Sequence, residues 1–189
     1  MWSENWPHFL CYYLVMDRIN ELMNNLQTIS YGWIDKDGGR HEKLGSDFAS
    51  EYRLQLGDEC YKNQLGVCWD QVEYEASFLD AAGIDNQSYF IYYDDKDKLP
   101  SHTFLVVKQG DKFLWIEHAW EKFAGIHEYN SEEELLKDIK TKFIECSEFG
   151  NGCNRENVFV FKYNRPTTKL SCDEFYAHTA IEEQLVEVE

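Results

Sequence analysis

The stretch Gly66-Val67-Cys68-Trp69-Asp70 decides the fold, because a helical apolar pattern begins there. Apolar residues then recur at steps of about four up to Gly83, at Val72, Ala76, Leu79 and Ala82. The pattern predicts a helix over 69–82 with Cys68 at its N-terminus, where the helix dipole and unpaired N–H groups favour a thiolate. Such a thiolate suits a nucleophile if a histidine and a carboxylate lie nearby. The alternative is a buried cysteine that acts as a small hydrophobic residue.

Length and charge limit the classes of function. A chain of 189 residues predicts one domain, spanning 1–189, with a sizeable core. The net charge of −17 argues against binding to nucleic acid and to anionic membranes. A protein or peptide substrate of basic character would suit this charge, although solubility alone also explains it. No apolar stretch reaches the length of a transmembrane helix.

The six cysteines are scattered, with no Cys-x-x-Cys pair: Cys11, Cys60, Cys68, Cys146, Cys153 and Cys172. A zinc site is therefore not expected, and we expect neither a metal nor another cofactor. The N-terminus lacks the basic region of a secretory signal, and Asp17 and Arg18 interrupt its apolar stretch. These features favour free thiols in a cytoplasmic setting. The sequence does not indicate an oligomeric state.

Hydrophobic periodicity on both sides of the cysteine helix predicts an α+β fold with segregated elements. Further helices are predicted at 8–29, 47–56, from Ser131, and over 171–186, the last two from capping boxes. Strands are predicted at 88–93, 102–108, 113–119 and 157–163. The cysteine helix then packs on an antiparallel sheet in a core of about 30–165, flanked by the N-terminal and C-terminal helices. The acidic residues 182–189 are expected to fray into solvent.

A tight turn at Gly110 and Asp111 would make His102 and Glu117 neighbours. With these two as the turn residues, His102 and Glu117 lie diagonally on one face of the hairpin. Their backbones are then about 7 to 8 Å apart, within reach of a hydrogen bond between carboxylate and imidazole.

One alternative register remains for this hairpin. A three-residue turn would pair His102 with His118 and send Glu117 to the other face. We favour the two-residue turn, because it keeps the apolar runs of both strands in step. His118 then points to the opposite face.

The favoured register predicts a catalytic triad. Cys68 is the nucleophile, and His102 takes its proton and later gives a proton to the leaving group. Glu117 fixes the tautomer of the imidazole and favours its charged form. Each residue also has a structural interpretation, as a core thiol, a surface histidine at a strand start, or a carboxylate on the solvent side of an edge strand.

An oxyanion donor is also expected at the start of the cysteine helix. The backbone N–H of Cys68 can donate to an oxyanion, as N–H groups at helix N-termini do. Gln64 and Gln71 are both candidates for a second donor, and the sequence does not choose between them. Trp69 is a candidate for contact with substrate.

Three segments, Gly66–Asp70, Ser101–Phe104 and Trp115–Glu117, together resemble the transglutaminase-like superfamily of papain-like cysteine enzymes. With Tyr31–Asp35 upstream, they look like small stand-alone bacterial members, and the resemblance covers about 30–125. It implies a papain-like α+β fold and acyl transfer through a thioester, with Cys68, His102 and Glu117 as the triad. This chain has Glu117 where the superfamily usually has aspartate.

The sequence therefore favours a cysteine hydrolase or acyltransferase that acts on a protein or peptide amide. A second hypothesis is a degenerate transglutaminase-like domain that binds a peptide or partner without chemistry. An arylamine acyltransferase shares the order of cysteine, histidine and acid, but this chain is short for that family.

Overall fold

The structure is a computed structural model that describes residues 8–94, 100–146 and 154–188, with side chains from Tyr12 onward. The helices are α1 (His8–Leu26), α2 (Phe48–Glu51), α3 (Glu59–Asn63), α4 (Cys68–Ala81), α5 (Glu132–Glu145) and α6 (Cys172–Thr179). The strands are β1 (Ser30–Tyr31), β2 (Trp33–Ile34), β3 (Arg40–His41), β4 (Leu65–Gly66), β5 (Asn86–Tyr93), β6 (Ser101–Gln109), β7 (Lys112–Glu117), β8 (Gly125–Tyr129), β9 (Val158–Tyr163) and β10 (Leu185–Val186).

Six of these strands form one antiparallel sheet in the order β10-β9-β5-β6-β7-β8. The prediction of an α+β architecture with an antiparallel sheet is thus confirmed. The two-residue turn is confirmed as well, because Gln109 pairs with Lys112 and Leu105 with Ile116. Gly110 adopts a positive φ of 64°, which glycine tolerates at no steric cost.

Helices cover both faces of the sheet. Apolar side chains of α1 and α4 pack on one face, against residues that include Leu105, Val107 and Ile116. Those of α5 pack on the other face, against alternate residues such as Val106 and Trp115. This alternation follows from the period of two along a strand. The predicted helix over 69–82 is α4, which begins one residue earlier, at Cys68.

The C-terminal helix predicted over 171–186 is wrong beyond residue 179. Its N-terminus is the predicted capping box of Ser171 and Glu174, but the helix ends at Thr179. A 3₁₀ turn follows at 182–184, and β10 then pairs with β9 at the edge of the sheet. Val186 and Val188 pack against the cluster below α5, so burial of β-branched side chains overrides helix propensity there and the tail does not fray at these residues.

Other boundaries are shorter than the sequence indicates. The first helix ends at Leu26 rather than near 29, and the predicted helix over 47–56 is the single turn α2. Helix α3 and strand β8 were not predicted, because each is short and lacks a clear apolar period. Among the described residues, no helix combines the length and apolar character needed to cross a bilayer.

A third apolar cluster joins α4 to α6 and is built from aromatic rings. Trp69 stacks on Phe175 with ring centroids 4.3 Å apart, and both rings contact Phe90 of β5. Stacked and edge-to-face ring pairs of this kind add to the energy of burial. The cluster fixes the first turn of α4 against the sheet.

Gly66 lies where the chain enters α4, and the space around it admits no side chain. A Cβ at this position would lie 2.4 Å from the sulfur of Cys60 and 2.9 Å from the Cβ of Asp70. The glycine therefore allows α3 to pack directly against the first turn of α4.

We expect Gly66→Ala to lower the free energy of unfolding by about 1 to 3 kcal/mol, the usual range for overpacking a core. Urea unfolding would measure the loss. Gly45→Ala is the matched control, because a Cβ at Gly45 meets nothing within 4 Å. Equal stability of the two variants would contradict this expectation, because it would show that the first turn of α4 accommodates the extra methyl group without a loss of folding free energy.

Candidate active site

Cys68 is the first residue of α4, as the sequence predicts. Val67 precedes it in an extended conformation (φ −79°, ψ 175°), and the first helical hydrogen bond runs from the N–H of Gln71 to the carbonyl of Val67 at 3.0 Å. The N–H of Cys68 therefore has no acceptor within the helix. It is the donor expected to stabilise negative charge at this position.

Asp70 holds this turn in place from within the core. Its carboxylate accepts hydrogen bonds from the N–H of Val67 (3.0 Å), the N–H of Gln55 (2.8 Å) and the hydroxyl of Tyr52 (2.7 Å). Burial raises the pKa of Asp70 to about 6, and the three donors counteract this rise. The bond to Val67 is the half of a capping box that an acidic residue at the third helical position supplies.

His102 and Glu117 form the hydrogen-bonded pair that the hairpin register predicts. The Nε2 of His102 lies 2.7 Å from the Oε2 of Glu117, and the two residues are 3% and 2% exposed. The other carboxylate oxygen, Oε1, accepts the backbone N–H of Trp120 at 2.7 Å. Both oxygens are thus held, and the longer side chain of glutamate reaches its histidine.

Cys68 and His102 line the same cleft, and a hydrogen bond with Cys68 is among the causes that raise the pKa of His102, so the three residues meet. Because Nε2 is hydrogen-bonded to Glu117, Nδ1 is the ring nitrogen that remains for a hydrogen bond with the thiol. Burial on its own would lower the pKa of His102, but the charge of Glu117 and the hydrogen bonds with Cys68 and Glu117 raise it to about 10. The imidazole is therefore a cation at neutral pH.

Glu75 is a second buried carboxyl group near this pair. It lies two turns along α4 from Cys68. Burial and the charge of Glu117 raise its pKa well above the usual range, against the opposing effect of His102. Its Oε2 has no hydrogen-bond partner in the described part of the chain. The raised pKa favours the protonated form of Glu75.

A cleft of about 620 Å³ opens over Cys68 and His102. Its walls include Tyr31, His118 and Trp120. The Trp120 ring packs edge-on against His102, with centroids 5.3 Å apart. A thiol at a helix N-terminus, an imidazole and a carboxylate in a cleft of this size can form and release a covalent acyl group.

The other predicted residues lie in three different places. Gln71 lines the cleft, and one N–H of its amide donates to the carbonyl of Gly66 at 3.0 Å. Gln64 is not among the residues that line the cleft, and its amide donates to the carbonyl of Tyr61 at 2.6 Å. Trp69 is buried in the aromatic cluster with Phe175. Gln71 is thus the one of the two glutamines that lines the cleft, whereas Gln64 and Trp69 are not among its lining residues.

His118 and Tyr31 line the cleft although the sequence assigns them no role. The expectation that His118 points away from His102 is wrong, because β7 ends at Glu117 and the alternation of a strand does not extend to residue 118. His118 follows the last residue of β7, and its Nδ1 lies 2.8 Å from the Oε1 of Gln71. Tyr31 lies beside Gly66 because β1 and β4 are paired in parallel. Neither position could be found from a local pattern, because each depends on packing between distant segments. Among the residues that the structure describes, no group of three or more histidine, cysteine or acidic side chains could hold a metal ion.

Comparison with known proteins assigns neither a family nor a function to this chain. A scan against protein-family models gives no match, and no curated protein shows significant similarity to the sequence.

We expect Glu117→Gln to slow alkylation of Cys68 at pH 6 by about 10- to 100-fold, because His102 loses a charged hydrogen bond worth about 1.5 to 3 kcal/mol. The rate of iodoacetamide incorporation at Cys68, followed by peptide mass spectrometry, measures this. Glu121→Gln is the matched control, because Glu121 also lines the cleft but is exposed. Equal rates in the two variants would contradict the role of Glu117.

Stability should depend on pH through His102. An unfolded histidine releases its proton near pH 6.5, whereas His102 holds its proton up to about pH 10. The folded state thus binds more protons in this window, and the contribution of His102 to stability is lost as the pH rises through it. The difference in unfolding free energy between wild type and His102→Gln should shrink from pH 7 to pH 10, as urea unfolding would show. A constant or growing difference would contradict the raised pKa.

Proposed function

We propose that this protein is a thiol-dependent acyl-transfer enzyme of the transglutaminase-like kind, which acts on an amide of a protein or peptide. The observation that carries the proposal is the set Cys68, His102 and Glu117: Cys68 and His102 line one cleft, and Glu117 is hydrogen-bonded to His102 behind it. The resemblance of the three sequence segments that contain these residues supports the same conclusion.

In the first half-reaction, the thiolate of Cys68 attacks the carbonyl carbon of the amide and a C–S bond forms. The carbonyl oxygen takes up the negative charge and accepts the N–H of Cys68. The imidazolium of His102 then gives its proton to the amide nitrogen, the C–N bond breaks, and ammonia or an amine leaves. The product is a thioester on Cys68.

In the second half-reaction, neutral His102 takes a proton from water or from an amine, which attacks the thioester. The C–S bond breaks and the thiolate returns, paired again with the imidazolium. Glu117 keeps the ring in one orientation throughout and stabilises its charged form. Water as acceptor gives hydrolysis, and an amine gives transamidation.

The charge of the protein favours a basic substrate. The net charge is −17, and Glu121 is exposed on the wall of the cleft. A potential of this sign attracts cationic peptides and amines to the cleft. We also propose a reducing, cytoplasmic setting, because the mechanism needs a free thiol and, within the described part of the chain, Cys60, Cys68 and Cys172 form no disulfide.

We expect iodoacetamide to alkylate Cys68 at pH 6 about tenfold or more faster than Cys172, which peptide mass spectrometry would measure. Cys172 is the internal control, because the two residues are 6% and 8% exposed. Burial raises the pKa of the Cys172 thiol to about 11, so this thiol stays protonated. Equal rates for the two thiols would count against a catalytic Cys68.

Activity can be tested with dimethylated casein as the acyl donor. Incorporation of dansylcadaverine would show transamidation, ammonia released without it would show hydrolysis of glutamine amides, and new free amino groups would show hydrolysis of peptide bonds. Cys68→Ala should abolish either signal, whereas Cys172→Ala should keep it. A Cys68→Ala protein that keeps its full biological activity would instead indicate a binding module.

A further inference from the structure

Two histidines line the cleft, and the proposed reaction uses one of them. His102 carries the proton that the leaving group needs. His118 lies on the cleft wall together with Cys68 and Gln71, and it is not hydrogen-bonded to the triad. What His118 presents to a bound molecule depends on which of its ring nitrogens carries the proton.

Gln71 determines that tautomer. The carbonyl of Gly66 can only accept, so the amide N–H₂ of Gln71 must face it, at 3.0 Å. The amide oxygen Oε1 is thereby turned toward His118, whose Nδ1 lies 2.8 Å away. Since Oε1 can only accept, Nδ1 must carry a proton. Gln71 is 1% exposed, and its amide is held at both ends.

The second nitrogen of His118, Nε2, is then an acceptor. Burial lowers the pKa of His118, with only a smaller opposing effect from Glu117, so the ring is neutral at pH 7. Nε2 has no hydrogen-bond partner among the residues that the structure describes. The cleft therefore has a cationic imidazole that can donate, His102, and a neutral one that can accept, His118.

We propose that His118 is a substrate-binding residue whose Nε2 accepts a hydrogen bond from an N–H group of the acyl substrate, and that Gln71 is the positioning residue that keeps Nε2 unprotonated. This inference rests on the proposed function, because it concerns the cleft over Cys68. It narrows the substrate class to amides that keep an N–H beside the reacting carbon, in preference to esters or tertiary amides.

Two alkylating reagents can test whether Nε2 of His118 accepts a hydrogen bond, even though the natural substrate is not identified. Iodoacetamide carries an N–H₂ group, and its N,N-dimethyl derivative carries none. The measured quantity is the rate constant of iodoacetamide at Cys68 divided by that of the dimethyl derivative. This ratio is then divided by the same ratio for N-acetylcysteine, which removes the difference in intrinsic reactivity between the two reagents. We expect a ratio of about 3- to 10-fold in the wild type, the factor that one neutral hydrogen bond contributes.

Two substitutions of His118 separate the acceptor from the packing of the ring. In His118→Asn, the amide nitrogen takes the place of Nδ1 and can still donate to Gln71, but no acceptor remains at the position of Nε2. The ratio should fall to about one-third or less of the wild-type value. In His118→Gln, the amide oxygen can reach the position of Nε2, and the ratio should be largely kept.

Gln71→Met tests the positioning role. This variant leaves His118 in place but removes the acceptor for Nδ1–H, so that either nitrogen can carry the proton and the ratio should fall. A wild-type ratio of about one, or a ratio that His118→Asn leaves unchanged, would overturn the proposal. An unchanged ratio in Gln71→Met would overturn the role of Gln71.

The outcomes also distinguish this proposal from the proposed function. If Cys68 is no more reactive than Cys172 toward either reagent, the proposed function is contradicted, because Cys68 is then not an activated nucleophile. If Cys68 is highly reactive but does not discriminate between the reagents, the triad stands and the inference about His118 fails.

Discussion

The carboxylate of Asp70 is the group on which the candidate site depends. It accepts three hydrogen bonds, from the backbone of Val67 and Gln55 and from the hydroxyl of Tyr52. These donors belong to the turn that enters α4 and to the segment between α2 and α3. One buried side chain therefore joins two loops that would otherwise be independent. The position of the Cys68 sulfur relative to the sheet follows from this connection, because Cys68 is the next residue after Val67.

Helix α4 buries three carboxyl groups, and each is accommodated by a different physical means. Asp70 is stabilised by donors from the backbone and from Tyr52. Glu73 pairs with Arg165 at 3.1 Å, although burial still raises its pKa to about 7. Burial raises the pKa of Glu75 well above its usual range, which favours the neutral form. Three ionised groups within two turns would repel one another strongly in a medium of low dielectric constant. The helix tolerates the three groups because hydrogen bonds, an ion pair or a raised pKa offset the cost of burying each of them.

The sequence predicts those parts of the site that depend on local rules. A two-residue turn at Gly110 and Asp111 places His102 beside Glu117, because pairing in a hairpin is determined by its turn. The start of α4 is predictable for a similar reason, since apolar period and glycine position mark a helix from within the sequence. Both predictions use residues close together along the chain.

The parts that could not be predicted depend on contacts between distant segments. Gln71 is a candidate oxyanion donor from its place on the helix, but its bonds to the carbonyl of Gly66 and to the ring of His118 do not follow from that place. Strand β10 looks like the end of a helix, because glutamates that favour helix flank it and its partner β9 lies more than twenty positions earlier. In both cases the deciding partner is invisible to a pattern that covers one or two turns.

The burial of His102 and Glu117 separates the chemistry of the site from its encounter with substrate. Dissolved ions screen exposed charges within about 10 Å at 0.1 M salt, but they screen a buried pair much less. The pair is nearly inaccessible, whereas the acidic groups that give the chain its charge of −17 lie mostly on the surface. Ionic strength therefore acts on the approach of a cationic substrate and leaves the activation of the thiol almost untouched. An inhibition by salt would thus report on association alone.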